Sequence, residues 1–239
     1  MSVTGPHVLV TGSTRGIGAA IAAALARQGA RVIGHGRADG AQVLGADLAD
    51  PETASRLWSR ALEQLDGHVD VLINNAGVFE PAGIDLPDED WDAAWSRTLQ
   101  INLKAAADLS RLAVRHFLER PGGGRIINVA SRAAYRGDSP AHWHYAASKA
   151  GMVAMTKSIA RGFAARGVLA YAVCPGFTLT GMADDYLASR GGAGLLADIP
   201  LGRVANPEEV ATAVVFLALE APASMTGAVL DINGASYVR

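Results

Sequence analysis

The chain has 239 residues, half of them hydrophobic, with a formal net charge of −2 and one cysteine, Cys174. That length and apolar content suit one large domain with a sizeable core. The charge balance excludes a basic nucleic-acid binder and an acidic disordered tail, and a lone cysteine excludes an internal disulfide.

The elements follow in chain order. His7 to Thr11 is an apolar run read as a strand, and Arg15 to Gln28 reads as a helix stopped at Gly29. Arg31 to Gly34 is a second strand. Pro51 to Leu65 is helical, with Asp50 at the N-cap and Pro51 at the first helical position. Val69 to Asn74 is a strand, and Asp88 to Leu118 a long helical region containing a break. Arg125 to Ala130 is a strand, Tyr145 to Ala165 a helix, and Leu169 to Cys174 a strand stopped by Pro175 and Gly176. Pro207 to Leu219 is a helix capped by Asn206, and Val229 to Ile232 is the last strand. This βαβ alternation predicts an α/β fold: one Rossmann-type domain over residues 1–239, doubly wound, with a mostly parallel sheet and helices on both faces. The glycine-rich segment 178–200 breaks the alternation and is read as a substrate lid. The start of the chain lacks a basic segment followed by a long apolar run, and no apolar run is long enough for a bilayer. A cytoplasmic protein is the expectation.

The first strand runs into Thr11-Gly12-Ser13-Thr14-Arg15-Gly16-Ile17-Gly18, which opens a helix. Glycines there permit a tight turn, a close approach of backbone to a pyrophosphate, and close helix–strand packing. The helix N-terminus adds free N–H groups and a positive dipole end. The second strand then decides between cofactors. NAD-binding folds usually carry an acid at its tip, to hold the ribose hydroxyls. Here the strand ends in His35-Gly36-Arg37. Arg37, with Arg15, suits the 2′-phosphate of NADP(H), although Asp39 stands close by in sequence.

Further marks follow in order: Asn74-Asn75-Ala76-Gly77 after a strand, Asn102 in a helix, Ser131 at a strand end, Tyr145 and Lys149 four apart, then Pro175-Gly176. With the glycine turn, these make the sequence resemble the short-chain dehydrogenase/reductase family in its compact form, from Thr11 to about Gly234. Pro200-Leu201-Gly202-Arg203 and Asn206-Pro207-Glu208-Glu209 look most like the branch of β-ketoacyl carrier-protein reductases and carbonyl reductases. The resemblance implies an oxidoreductase moving a hydride between NADP(H) and a carbonyl or secondary alcohol. It implies Asp47 and Leu48 near the adenine, Asn75, Ala76 and Gly77 beside the ribose, Phe177 and Thr178 at the nicotinamide amide, and Thr180 at the pyrophosphate. It also implies a homotetramer.

Tyr145 is the expected general acid/base. A tyrosine one helical turn from a lysine shares its face, and the ammonium is expected to lower the phenol's pKa. Ser131 would steady the developing oxyanion, and Asn102, by resemblance, would organise a water beyond Lys149. The spacing from Ser131 to Tyr145 is fourteen, one more than the family commonly shows. Val78, Phe79, Ala133, Trp143, His144, Phe177 and the lid would shape a pocket for a small molecule. No metal is expected, since His142 and His144 find no third ligand in the nearby sequence. Two other readings stay open: a β-ketoacyl carrier-protein reductase, and a non-catalytic dinucleotide-binding regulatory protein on the same fold.

Overall fold

The computed structural model describes residues 5–179 and 192–239. Seven strands form one parallel sheet in the order β3-β2-β1-β4-β5-β6-β7. They are β1 (His7–Val10), β2 (Arg31–Gly36), β3 (Val43–Gly45), β4 (Val71–Asn74), β5 (Gly124–Val129), β6 (Val168–Pro175) and β7 (Val229–Ile232). Alternate residues of each strand point to opposite faces, so each strand feeds two cores. Val8 and Val10 of β1 join Ile21 and Leu25 of α1 (Gly16–Arg27) and Val210 and Val214 of α8 (Pro207–Leu219). Leu9, between them, joins Leu57 and Trp58 of α2 (Thr53–Gln64) and Leu109 and Phe117 of α4 (Ala105–Leu118). Leu9 and Phe117 are wholly buried, each contributing about 2 kcal/mol of transfer free energy.

Helix α2 starts at Thr53, with Glu52 rather than the expected Asp50 at its N-cap and Pro51 ahead of the helix; the Asp50 carboxylate instead accepts the Glu52 N–H at 2.9 Å in the turn before it. Glu209 reaches back to the Asn206 N–H at 2.7 Å, closing the first turn of α8. The long helical region does break: α3 (Asp88–Leu99) passes through a π-helical turn, Gln100–Lys104, before α4. Helix α6 (Trp143–Phe163) begins two residues before the expected Tyr145. The segment between Ser131 and Tyr145 forms the short helix α5 (Ala133–Arg136) and the turn after it. Strand β3 and α5 are too short to leave a periodic signal. The lid expectation falls largely outside the described residues, but within 178–200 a short helix α7 (Gly192–Ala197) is seen.

Every strand of a parallel sheet presents its carboxyl end at one edge. β1 is flanked there by β2 and β4, whose connections leave in opposite directions, and a crevice opens at this switch point. Among the described residues, no helix is long and apolar enough to cross a membrane.

Candidate active site

A cavity of about 370 Å³ lies along this edge. Its floor is the glycine turn. Gly12 and Gly16 have φ of +65° and +54°, the left-handed region that favours glycine. A Cβ on Gly18 would fall 2.1 Å from the Gly12 carbonyl oxygen. Helix α1 starts with no side-chain cap and no acid in its first turn, so its first N–H groups stay open toward the cavity. The turn is latched from two sides. Thr11 Oγ1 accepts the N–H groups of Asn75 and Ala76 at 2.9 and 3.0 Å, while Asn75 Nδ2 donates to the carbonyls of Thr11 and Gly12. From β2, His35 Nδ1 accepts the Gly12 N–H at 3.2 Å and its Nε2–H donates to the Ala46 carbonyl at 3.1 Å. Burial pushes the His35 pKa down, in keeping with this neutral tautomer. Ser13 does not line the cavity. Its hydroxyl accepts the His35 N–H at 3.1 Å and so ties the turn to β2.

Thr14, Arg15, Gly16, Ile17 and Gly18 line the cavity, as do Arg37, Asp47 and Leu48 at its outer end. Arg15 and Arg37 are both exposed there. Asp39, the acid that could have favoured NAD, is turned away: its carboxylate accepts the Gly45 N–H at 2.8 Å and pairs with Arg60 at 2.6 Å. Open helix N–H groups and two guanidinium groups at the rim fit a dinucleotide carrying an extra phosphate.

At the inner end the carboxyl tips of β4, β5 and β6 converge. Asn75, Ala76, Gly77, Ser131, Tyr145, Lys149, Pro175, Gly176, Phe177 and Thr178 all line the cavity. Lys149 is almost wholly buried and donates from Nζ to the Val129 carbonyl at 2.8 Å. The π turn directs Asn102 inward, where it is fully buried. Its Oδ1 accepts the Val78 N–H at 2.8 Å, and its Nδ2 donates to the Val78 carbonyl at 3.0 Å and to Ser148 Oγ at 3.3 Å. A Cβ on Gly77 would stand 3.3 Å from Asn102 Oδ1 and 3.6 Å from Lys149 Nζ, so both side chains close over this glycine. Thr180 lies outside the described residues.

The acidity of Tyr145 departs from expectation. Burial pushes its phenol up to about 12, with Ser131's hydrogen bond opposing the rise. Lys149 does not offset this. Its Nζ is 5.8 Å from the tyrosine ring centroid, and burial pushes its own pKa down to about 8. Desolvation outweighs charge proximity here, and the resting pocket holds a protonated phenol, a proton donor.

The substrate wall is partly as expected. Val78, Phe79 and Phe177 line the cavity, and Phe79 packs edge-on against Tyr145 at 4.7 Å and stacks on His142 at 3.8 Å. Ala133, Trp143 and His144 do not line it; Trp143 is half exposed and packs on Trp91. His35, Arg132 and Asp138 line the cavity and were not anticipated. Among the described residues, the group offering three metal-type ligands is His7, His68 and Asp70, at the opposite edge of the sheet. There the rings stack at 4.0 Å, and Asp70 already serves Arg120 and the His7 N–H.

Comparisons with known proteins agree with this geometry. The family model described as "Enoyl-(Acyl carrier protein) reductase" matches residues 12–235. The 3-oxoacyl-[acyl-carrier-protein] reductase of Haemophilus influenzae is 37% identical over 98% of this chain and 99% of its own. The Escherichia coli protein of that name is 36% identical over the whole of both. Among solved structures, a putative NAD(P)-dependent gluconate 5-dehydrogenase from Beutenbergia cavernae, with bound NADP, superposes with a TM-score of 0.89 at 35% identity, covering 98% of each chain. A putative 2-deoxy-D-gluconate 3-dehydrogenase from Agrobacterium tumefaciens, also with bound NADP, gives 0.88 at 30% identity, covering 100% of this chain and 98% of its own. With its glycine turn, parallel sheet and Ser131, Tyr145 and Lys149 at one cavity, the chain belongs to the short-chain dehydrogenase/reductase family of oxidoreductases.

Proposed function

We propose that this protein is an NADP-dependent enzyme that interconverts a carbonyl and a secondary alcohol, with Tyr145 as the group that gives or takes the proton. When bound, the cofactor supplies or accepts the hydride at its nicotinamide ring. In reduction Tyr145 would give its proton to the substrate oxygen as the carbonyl carbon is reduced, and in oxidation it would take that proton back. One observation carries the reading: the half-buried Tyr145 places its phenol in hydrogen-bond contact with Ser131, in the same cavity as the glycine turn. A nascent alkoxide is far more basic than a phenolate, so a phenol near 12 still donates to it readily. Ser131 holds the substrate oxygen and steadies its developing charge. Lys149 and Asn102 brace Gly77 and Val78 against the end of β5 and keep the reacting corner in register. Gly12, Thr14 to Gly18, Arg37, Asp47, Leu48, Asn75 to Gly77 and Pro175 to Thr178 would hold the dinucleotide. Ser13 contributes by fixing the turn.

A second reading, reduction of a 3-oxoacyl group on a carrier protein, draws on the names of the curated relatives. The proposal extends to a cytoplasmic homotetramer acting on a small molecule, with α4 and α6 forming one interface. The test is NADPH oxidation over a panel of ketones, keto acids and 3-oxoacyl thioesters, repeated with NADH. Turnover with NADPH well above NADH supports the reading. Tight NADPH binding with no turnover of any member would point instead to a dinucleotide-binding regulatory protein.

A further inference from the structure

We propose that Arg60, which does not line the cavity, is a determinant of the preference for NADP over NAD: it holds the Asp39 carboxylate away from the 2′-phosphate that Arg37 would bind. This rests on the NADP-dependent reading above and assigns part of that preference to a positioning residue outside the site.

The loop between β2 and β3 carries two residues of opposite meaning for the cofactor. Arg37 suits an added phosphate, whereas an acid such as Asp39 repels it and suits the bare ribose hydroxyls of NAD. Which of them faces the ligand depends on how the loop lies. Arg37 lines the cavity and Asp39 does not. The loop lies against the end of β3, where a Cβ on Gly45 would fall 2.6 Å from the Asp39 nitrogen and 2.7 Å from the Ala38 carbonyl carbon. On its far side the Gly40 N–H donates to the Val43 carbonyl at 2.8 Å. The Asp39 carboxylate then accepts the Gly45 N–H at 2.8 Å. Arg60 completes the hold with both arms of its guanidinium: Nη2 donates to Asp39 Oδ1 at 2.6 Å, and Nη1 to the Gly45 carbonyl at 2.9 Å. Its own position is fixed, because Leu57, Trp58 and Ala61 of α2 are buried in the core.

Asp39 is exposed, and the Gly45 N–H and then the Arg60 guanidinium hold its carboxyl below the usual carboxylate range. Arg60 thus both offsets the acid's charge and points it toward β3. Without Arg60 the carboxylate keeps one backbone donor and stands two residues from Arg37. There it repels the 2′-phosphate or pairs with Arg37 itself, and both outcomes weaken NADP more than NAD. Asp47, the acid at the outer end of the cavity, accepts the Ala49 N–H at 3.0 Å and is common to every protein compared below.

The experiment is a calorimetric titration of NADP+ and NAD+ into wild type, Arg60→Met, Asp39→Asn and the double variant. It is run at low ionic strength, because salt screens exposed charges. The quantity compared is the ratio of Kd for NAD+ to Kd for NADP+. Arg60→Met should lower that ratio by about fivefold or more, the scale of one exposed charge contact. The double variant should return to within about twofold of wild type, and Asp39→Asn alone should move the ratio by less than about twofold. Arg60→Lys, which keeps the charge and loses the fork, should fall between wild type and Arg60→Met. An unchanged ratio in Arg60→Met overturns the inference. So does an equal fall in Arg60→Met and the double variant, which would make Arg60 a distant charge or a plain support of β3. If Arg60→Met does not fold, Asp39→Asn still decides: a rise of about fivefold or more would show that Asp39 already acts on the phosphate, unheld. Wild type that prefers NADP+ while Arg60→Met keeps the full ratio sinks this inference alone. Wild type with no preference for NADP+ sinks the NADP reading with it.

Discussion

Replacing Lys149 with methionine should abolish turnover and also change how stability depends on pH. Lys149 is buried, and its pKa falls from the usual 10.5 to about 8. Between those values the unfolded chain binds the proton more tightly than the folded one, so this site's contribution to stability rises as pH increases. Full depression by 2.5 units corresponds to about 3 kcal/mol of penalty at pH 7. By pH 9.5 roughly 2 kcal/mol of that has been recovered. Tyr145, pushed up to about 12, acts in the opposite sense, but only above pH 10. Cys174, pushed up to about 11, is present in both proteins and largely cancels in the comparison. The assay is urea unfolding of wild type and Lys149→Met at several pH values from 7 to 9.5. The wild-type stability should climb by about 2 kcal/mol relative to the variant over that range. The loss of the hydrogen bond to Val129 shifts the variant by a constant amount and does not alter the slope. A pH-independent difference would show that the amine is not desolvated as described.

Arg37→Ala should raise KM for NADPH by about tenfold, the scale of one lost charge-assisted contact, and move KM for NADH much less. Equal shifts for both cofactors would remove Arg37 from the phosphate end. Tyr171→Phe should stabilise the fold by about 1 kcal/mol, since its buried hydroxyl has no hydrogen-bond partner among the described residues. A lower unfolding midpoint in that variant would mean that the hydroxyl has a partner after all.

What was legible in the sequence is what local chemistry encodes. The glycine turn, the tyrosine–lysine pair and the strand-end serine each depend on spacing within one or two elements, and they meet because parallel strands end on one edge. His35 was not legible as a support of the turn, because its role requires the turn to fold back beside β2 and one ring tautomer to serve both Gly12 and Ala46. Asp39 looked like a rival to Arg37 until Arg60, from α2, was seen to hold it. Asn102 was found, but its clamp on Val78 depends on the π turn that rotates it inward. Sequence spacing shows the lysine one helical turn from Tyr145 but not how far the phenol is desolvated, and desolvation has the larger effect here.

The central claim is that the Tyr145 phenol passes its proton to a substrate oxygen in the cavity where the dinucleotide is held. It is tested most directly by Tyr145→Phe, in a single-turnover reduction with C4-deuterated NADPH alongside a titration of NADPH binding. The account predicts a Kd within a few-fold of wild type, and deuterium transfer to the product carbinol slowed by several orders of magnitude. A variant that transfers deuterium at close to the wild-type rate would contradict it.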